Sequence, residues 1–322
     1  MDSAGSNGPG AAAPRSGERG GEDRVRVRVP AKVNLALRVG ELGDDGYHPL
    51  GTVFQALSLF DEIEASRRDE GIHLEMKGEG SEELPVDDSN LAVRAANLLR
   101  ERYDITEGVD LRIRKHIPIA GGMAGGSANA AGVLTACSML WDLDTQPEDL
   151  HDFAAELGSD VPFALVGGTA RGTGRGTELV PMITRGTYHW VLAFAHDGLS
   201  TPAVFRRFDE MLAAGEVTPG TEVPRELMDA LAKGDVRGVG AALCNDLEAP
   251  ALSLRPELGE VLEMGRALGV AGAVLSGSGP TCAFLAEGET AAMDLATQLS
   301  KNPRVRTVRR ATAPVHGSRP LV

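Results

Sequence analysis

The sequence has few aromatic residues and contains no long hydrophobic run. Only 4% of its 322 residues are Phe, Trp or Tyr. No apolar run approaches the roughly 18 residues that cross a membrane, and the first residues lack the apolar core of a signal peptide. We therefore expect neither a membrane-spanning chain nor a secreted one, and we predict a cytoplasmic location.

Cysteine is also scarce, which excludes a disulfide framework and a cysteine-based metal site. Cys137, Cys244 and Cys282 are odd in number and far apart in the sequence, whereas such sites need paired or clustered cysteines. Each lies in an apolar stretch, as small core residues commonly do. The sequence assigns no metal ligands.

Positive charge is in deficit. The chain has 32 Lys and Arg residues against 46 Asp and Glu residues, so its net charge is −14. Nucleic acids and anionic membranes attract proteins through an excess of basic residues, so neither is an expected partner. An anionic small molecule can still bind where backbone dipoles and a few cations meet in a pocket.

Length and composition predict two α+β domains after a short tail. The chain is long enough for two domains of the usual ~150 residues, and its hydrophobic content of 42% supplies their cores. Residues 1–24 are rich in Gly, Ser, Ala and Pro, which predicts a disordered tail. Strands mix with helices without a regular βαβ series, and two strand candidates around residue 185 predict domains at 25–184 and 185–322.

One glycine-rich stretch predicts an anion site. Residues 118–131 read Pro-Ile-Ala-Gly-Gly-Met-Ala-Gly-Gly-Ser-Ala-Asn-Ala-Ala, between a predicted strand and a predicted helix. Glycine lets a ligand approach backbone N–H groups, and a helix N-terminus adds unpaired N–H groups and a positive dipole end. The spacing is that of a Walker loop, but Ser127 and Ala128 replace its Lys and Ser/Thr. Any cation must therefore come from elsewhere in the chain. The alternative is a turn that only lets a helix pack closely.

Two polar groups in apolar stretches are candidates for catalysis. Lys32 and Asn34 share one face of a predicted strand, where a solvated edge charge is the simpler interpretation. Asp160 follows a predicted helix, where it either caps the next helix or accepts a hydroxyl proton.

Two turns are candidates for ligand contacts. Tyr47 and His48 end a polar turn, either as surface residues or as a pair that stacks on a flat ring. Ser-Gly-Ser-Gly-Pro at 276–280 joins two apolar segments, either as a flexible turn or as a second backbone cradle for the ligand.

In their order along the chain, these stretches resemble the three motifs of the GHMP small-molecule kinases. The motifs are Pro-Ala-Lys-Val-Asn-Leu at 30–35, the glycine-rich stretch at 118–128 and Ser-Gly-Ser-Gly-Pro-Thr at 276–281. Gly-Tyr-His at 46–48 and Gly-Ser-Asp-Val-Pro at 158–162 narrow the resemblance to members that phosphorylate a cytidylyl sugar alcohol. Asn-Asp-Leu-Glu at 245–248 is usual in the same members, and the resemblance covers about residues 25–313.

The resemblance implies an α+β, two-domain kinase fold with the active site in the cleft between the domains. It implies that ATP, with Mg²⁺, phosphorylates the 2-hydroxyl of the cytidylyl sugar alcohol on the non-mevalonate route to isoprenoid precursors. A monomer or weak homodimer is expected. The alternatives are a homoserine or mevalonate kinase, which has no use for Gly46-Tyr47-His48, and a non-catalytic nucleotide-binding regulator, against which the retention of Lys32 and Asp160 argues.

The resemblance also implies roles for individual residues. Asp160 accepts the hydroxyl proton, while Lys32 stabilises the developing alkoxide. The expected ATP-binding residues are Pro118, Ile119, Ala120, Gly121, Gly122, Met123, Ala124, Gly125, Gly126, Ser127, Ala128, Asn90 and Lys115. The expected substrate-binding residues are Asn34, Tyr47, His48, Thr201, Phe205, Ser276 and Gly277. Among these, Tyr47 and Phe205 sandwich the cytosine and His48 reads its polar edge.

The glycine-rich stretch departs from the family pattern at three positions. Ala120 and Ala124 stand where many members carry Gly, and Ala128 stands where many carry Ser. We expect the shape of the loop to be kept, because a Cβ is tolerated where φ stays negative. Ala128 offers no hydroxyl to a ligand.

Overall fold

The computed structural model describes residues 23–119 and 121–321; most of the predicted tail (residues 1–22), Ala120 and Val322 lie outside the described residues. The strands are β1 (Arg24–Val39), β2 (Leu50–Arg68), β3 (Ile72–Gly78), β4 (Gly108–Lys115), β5 (Thr169–Thr173), β6 (Glu178–Pro181), β7 (Tyr188–Phe194), β8 (Cys244–Asn245), β9 (Gly272–Leu275), β10 (Cys282–Ala286), β11 (Thr307–Ala313) and β12 (Arg319–Pro320). The helices are α1 (Leu91–Arg102), α2 (Gly125–Leu140), α3 (Pro147–Leu157), α4 (Val161–Val166), α5 (Thr201–Ala213), α6 (Arg225–Lys233), α7 (Val236–Ala241), α8 (Glu248–Leu254), α9 (Glu257–Ala267) and α10 (Glu289–Leu299).

The strands form two separate sheets. In the first, the order β12-β1-β2-β4-β3 is extended by β5, which pairs with β2, by β6 beside β5, and by β8 beside β1. The second sheet has the order β11-β7-β10-β9, and all of its pairs are antiparallel. The second sheet is built only from residues after 187, which agrees with a division near residue 185. However, β8 and β12 return to the first sheet, so the boundary itself stays a prediction.

Helix α2 lies directly on the first sheet because its residues are small. Its sequence after Gly125 is rich in Ala and Gly, and most of its side chains are buried. A Cβ at Gly132 would come within 2.5 Å of the Ile63 side chain of β2, so a larger residue there would push the helix off the sheet. The close packing holds the N-terminus of α2, and with it the glycine-rich loop, at a defined height above the sheet.

The second sheet has its own apolar cluster, formed with α5, α8, α9 and α10. Cys282 is buried in this cluster, and Cys137 of α2 is buried in the larger apolar cluster that includes the first sheet. Both are therefore confirmed as small core residues. Cys244 is only half buried. Burial raises the pKa of the Cys137 and Cys282 thiols, so both remain protonated. No helix in the described ranges is long and apolar enough to span a membrane.

Replacing a glycine of α9 by alanine is expected to have opposite effects on stability at positions 265 and 259. A Cβ at Gly265 would lie 2.1 Å from the buried Phe284 ring of β10, whereas a Cβ at Gly259 would make ordinary contacts at 3.8 Å. We expect Gly265→Ala to lower the free energy of unfolding by about 1–3 kcal/mol through overpacking. Gly259→Ala should raise it by up to ~1 kcal/mol, because alanine favours the helix. Urea unfolding of both variants measures the difference, and equal effects would contradict the packing of α9 on β10.

Candidate active site

A cleft of about 340 Å³ brings the three glycine- and lysine-containing motifs together. It lies between β1, the loop that precedes α2 and the turn that joins β9 to β10. The predicted site residues that line it are Lys32, Asn34, Pro118, Gly121, Gly122, Met123, Ala124, Gly125, Asp160, Thr201, Phe205 and Gly277. These residues come from both halves of the chain, so the cleft lies where the sequence resemblance implies an active site.

Lys32 is a buried cation, with 6% of its surface exposed. Its Nζ donates to Oδ1 of Asn34 at 2.7 Å and lies 3.7 Å from Oδ2 of Asp160. Nδ2 of Asn34 in turn donates to the Thr52 hydroxyl at 2.9 Å, which fixes the amide. The interpretation of Lys32 as a solvated edge charge is therefore wrong, because β1 lies inside the sheet and its polar face is turned to the cleft.

Asp160 stands at the N-cap position of α4 but makes no capping hydrogen bond with its side chain. Its carboxylate is 30% exposed and points towards Lys32. An N-cap side chain normally accepts an N–H from the first turn of its helix. Asp160 instead keeps its carboxylate available on the cleft side, which a proton acceptor requires.

The loop before α2 has a left-handed residue that sequence analysis did not expect. Ala124 is the N-cap of α2 and has φ +57° and ψ +35°. The expectation that an alanine is tolerated through a negative φ is wrong at this position. A left-handed L-residue costs about 1–2 kcal/mol, so the surrounding structure must impose this conformation.

The turn after β9 holds this loop in place. A Cβ at Gly122, which has φ +67°, would lie 2.4 Å from the carbonyl oxygen of Ser276. The Ser276 hydroxyl donates to the carbonyl oxygen of Gly122 at 3.2 Å. A Cβ at Gly277 would lie 3.4 Å from Nζ of Lys32. Ser276 thus braces the loop from outside the cleft, while the backbone at Gly277 reaches Lys32.

Residues 245–248 support that turn. Nδ2 of Asn245 donates to the carbonyl oxygens of Leu275 and Gly277 at 2.8 and 2.7 Å. Oδ2 of Asp246 accepts the N–H of Val39 at 2.9 Å, at the end of β1. Burial raises the pKa of Asp246, and the Val39 N–H opposes that shift. The two neighbouring side chains therefore tie the end of β1 to the turn that carries the third motif.

The fully buried carboxylate of Asp61 fixes the backbone that leads into the glycine-rich loop. Oδ1 of Asp61 accepts the N–H groups of His116 and Ile117 at 2.7 and 2.9 Å. Oδ2 accepts Nδ2 of Asn129 at 2.8 Å and a hydrogen from the Lys115 ammonium. Lys115 also donates to Oδ1 of Asn129 at 3.0 Å. Its ammonium thus lies beneath the loop and outside the cleft, and its position does not support a direct contact with adenosine.

Several other predicted ATP-binding residues surround the loop without lining the cleft. Oδ1 of Asn90 accepts the N–H of Ala92, so Asn90 caps α1. Ala128 is buried in the core, and Ser127 is half buried in the first turn of α2. Ile119 and Gly126 also lie in or beside the loop, and Ala120 is outside the described residues. The ATP contacts of this group stay predictions.

At the other end of the cleft, the Tyr47 ring is partly covered by a cation. Tyr47 is 53% exposed, and the Arg175 guanidinium lies 3.3 Å from its ring centroid. Arg175 lines the cleft and is 3.7 Å from the Asp45 carboxylate. Arg175 is not among the predicted site residues, although Gly-Thr-Gly-Arg-Gly at 172–176 is a turn signal in the sequence. This guanidinium is a cation supplied from outside the glycine-rich loop.

Both ring nitrogens of His48 already face protein oxygen atoms, so neither is free to hydrogen-bond to the polar edge of a cytosine. Its ring is buried and stacks on Phe205 with centroids 5.2 Å apart. One ring nitrogen lies 2.9 Å from the Gly40 carbonyl oxygen, and the other lies 3.4 Å from Oδ1 of Asp209. The predicted hydrogen bonding of the His48 ring to cytosine is therefore not supported, because both nitrogens face protein acceptors.

Thr201 lines the cleft and shares a hydrogen bond with the Ser278 hydroxyl at 2.7 Å.

The buried position of Lys115 predicts a loss of stability on substitution. Lys115→Met leaves the Asp61 carboxylate buried without its cation, and breaking a buried pair in this way costs about 3–5 kcal/mol. Urea unfolding should show a decrease of this size in the free energy of unfolding. A variant with wild-type stability and only a raised KM for ATP would instead make Lys115 a nucleotide contact.

Comparison with known protein families agrees with this geometry. Residues 90–168 match the GHMP kinases N terminal domain, and residues 227–305 match the GHMP kinases C terminal domain. A 4-diphosphocytidyl-2-C-methyl-D-erythritol kinase of Mycolicibacterium smegmatis is 54% identical over 295 residues, which are 91% of either chain.

Solved structures show the same relationship. The crystal structure of a 4-(cytidine 5'-diphospho)-2C-methyl-D-erythritol kinase is 35% identical and superposes with a TM-score of 0.74, covering 90% of this chain and 99% of that one. A homoserine kinase from Cytophaga hutchinsonii superposes with a TM-score of 0.72 over 93% of this chain and 98% of its own, but its identity of 18% shows the fold alone. The predicted α+β, two-domain kinase fold is confirmed. This chain belongs to the GHMP kinases and, within them, to the family of the 4-diphosphocytidyl-2-C-methyl-D-erythritol kinases.

Proposed function

We propose that the protein transfers the γ-phosphoryl group of ATP to the 2-hydroxyl of 4-diphosphocytidyl-2-C-methyl-D-erythritol, giving the 2-phosphate and ADP. The reaction belongs to the non-mevalonate route to isoprenoid precursors. The observation that carries the proposal is the position of Lys32 and Asp160, whose charged ends lie 3.7 Å apart in the same cleft as the glycine-rich loop. We further propose a cytoplasmic enzyme that acts as a monomer or weak homodimer.

The chemistry that the cleft can perform follows from its charges. Phosphoryl transfer needs positioning and neutralisation of charge more than covalent catalysis. The backbone N–H groups of residues 121–127 would bind the phosphates, helped by the dipole of α2. Asp160 would accept the proton of the attacking hydroxyl, and Lys32 would stabilise the negative charge that develops on that oxygen.

Asn34 and Thr201 have a positioning role in this proposal. Asn34 anchors the Lys32 ammonium from one side, and its own amide is held by Thr52. Lys32 therefore keeps one orientation while substrate enters, so little ordering is needed at the moment of reaction. Thr201 stands at the start of α5 with its hydroxyl at the cleft wall, where it would help orient the erythritol diphosphate.

The donor set fits a Mg²⁺ ion that arrives with ATP. Within the described ranges, no cluster of three or more His, Cys, Asp or Glu side chains could hold a metal ion. Mg²⁺ commonly takes one or two carboxylates together with substrate phosphates and waters. The Asp160 carboxylate in the cleft and the Ser127 hydroxyl in the first turn of α2 would be candidate oxygen ligands. When bound, the ion would offset the charge of the phosphates.

Aromatic stacking would supply affinity for the cytidylyl group. Phe205 lines the cleft, and Tyr47 stands near its rim beside Arg175. A flat base stacked on these rings gains affinity without hydrogen-bond readout, by about 1–3 kcal/mol per ring in nucleic-acid complexes. Arg175 is close enough to the cleft to offset the charge of the diphosphate.

A coupled assay of ADP formation separates this function from the alternatives. The purified chain is incubated with ATP and, in turn, with the cytidylyl substrate, homoserine, mevalonate or no acceptor. The proposal expects ADP formation only with the cytidylyl substrate. Turnover with homoserine or mevalonate would favour another GHMP kinase, and ATP binding without any turnover would favour a regulator.

Asp160→Asn tests the assignment of the general base. We expect kcat to fall by ~10²–10⁴-fold because a positioned base contributes about that factor, while the Kd for ATP is kept. Asp152→Asn is the matched control, since Asp152 is an exposed carboxylate on the neighbouring α3. If Asp160→Asn retained more than about a tenth of the wild-type kcat, Asp160 would only orient the hydroxyl.

Phe205→Ala and Phe208→Ala separate binding from packing on the same helix. Phe205 lines the cleft, whereas Phe208 is buried in the core. Phe205→Ala, like Tyr47→Ala, should lower kcat/KM for the cytidylyl substrate roughly ten- to a hundredfold and spare the affinity for ATP. Phe208→Ala should lower the thermal midpoint with little change in KM. If Phe205→Ala loses stability but keeps its KM, Phe205 belongs to the core, and if Tyr47→Ala also keeps its KM, the base lies elsewhere.

A further inference from the structure

The two ring nitrogens of His48 face different kinds of acceptor. Nδ1 lies 2.9 Å from the carbonyl oxygen of Gly40, and because a carbonyl oxygen only accepts, Nδ1 carries a hydrogen. Nε2 lies 3.4 Å from Oδ1 of Asp209 on α5. Both nitrogens of the ring therefore face oxygen atoms that accept hydrogens.

The same ring supports Phe205. The His48 and Phe205 rings are stacked with an interplanar angle of 27°, and Phe208 meets the His48 ring edge-on with centroids 5.8 Å apart. Phe205 lines the cleft, but His48 does not. His48 therefore covers one face of the Phe205 ring and leaves the other face for a ligand in the cleft.

Asp209 and Phe205 hold His48 from the same helix. They are four residues apart on α5, so their side chains project from neighbouring positions on one helix face. His48 belongs to the segment between β1 and β2, whereas Asp209 and Phe205 belong to α5. The Asp209 contact thus joins that segment to α5 beside the Phe205 ring.

We propose that Asp209 is a positioning residue for recognition of the base. It holds the His48 ring, and through that ring it fixes Phe205 in the orientation that stacks on cytosine. Asp209 does not line the cleft, so it acts without touching the ligand. The inference rests on the proposed function, because it takes Phe205 as a surface on which the base stacks.

Asp209→Asn keeps the shape of the side chain and removes its charge. We expect the Kd for cytidine diphosphate and the KM for the cytidylyl substrate to rise about three- to fivefold, the size typical of a partly exposed polar side-chain contact. The kcat and the Kd for ADP should stay at their wild-type values. Glu210→Gln is the matched control, because Glu210 is the next residue on α5 and pairs with Arg207 instead. It should leave all four quantities unchanged.

His48→Phe supplies the second measurement, since it keeps an aromatic ring on Phe205 and removes both nitrogens. If Asp209 acts through His48, Asp209→Asn has no further effect on the Kd for cytidine diphosphate in that background. An undiminished effect there, a fall in kcat with unchanged KM, or an equal effect of Glu210→Gln would each overturn the inference. Failure of the wild-type chain to bind cytidine diphosphate would overturn the proposed function itself. Wild-type affinity in Asp209→Asn would overturn this inference alone.

Discussion

The glycine-rich loop depends on one buried carboxylate. Asp61 is fully buried, and its two oxygens accept four hydrogen bonds, from Lys115, His116, Ile117 and Asn129. An ionised carboxylate inside a protein requires compensation of this kind. Since the four donors come from the end of β4, the entrance of the loop and α2, satisfying Asp61 sets the positions of all three. The loop can therefore present its backbone N–H groups in one arrangement, with the left-handed Ala124 included.

In the proposed function, the affinity for the phosphates of ATP would come from where the charges lie and not from the overall charge of the chain. The chain carries a net charge of −14, and among the described residues that line the cleft Lys32 and Arg175 are the cations. The second and third motifs approach backbone to backbone, because a Cβ at Gly122 would lie 2.4 Å from the carbonyl oxygen of Ser276. Neutralisation then depends on two cations, a helix dipole and oriented N–H groups, all acting at short range.

The resemblance to the GHMP kinases, which the order of the motifs carries, implied the fold and a shared site for Lys32 and Asp160. Each motif has local physical causes, such as glycines in tight backbone and a helix start. The role of Lys115 could not be predicted in this way, because its partner Asp61 lies 54 positions away and only the fold brings them together. Arg175 and the contacts of His48 could not be predicted either, because their partners also come from distant segments that only the fold brings together. Local patterns predict strands, helices and turns, whereas long-range polar contacts depend on tertiary packing.

In the proposed reaction, this cleft phosphorylates a specific hydroxyl of a cytidylyl sugar alcohol. Nuclear magnetic resonance of ³¹P and ¹³C in the product that the purified chain forms from ATP and 4-diphosphocytidyl-2-C-methyl-D-erythritol identifies that hydroxyl. We expect a new phosphomonoester signal coupled to carbon 2 of the erythritol, with one ADP formed for each substrate consumed. Phosphate released without transfer, or attached at another hydroxyl, would contradict the proposed reaction.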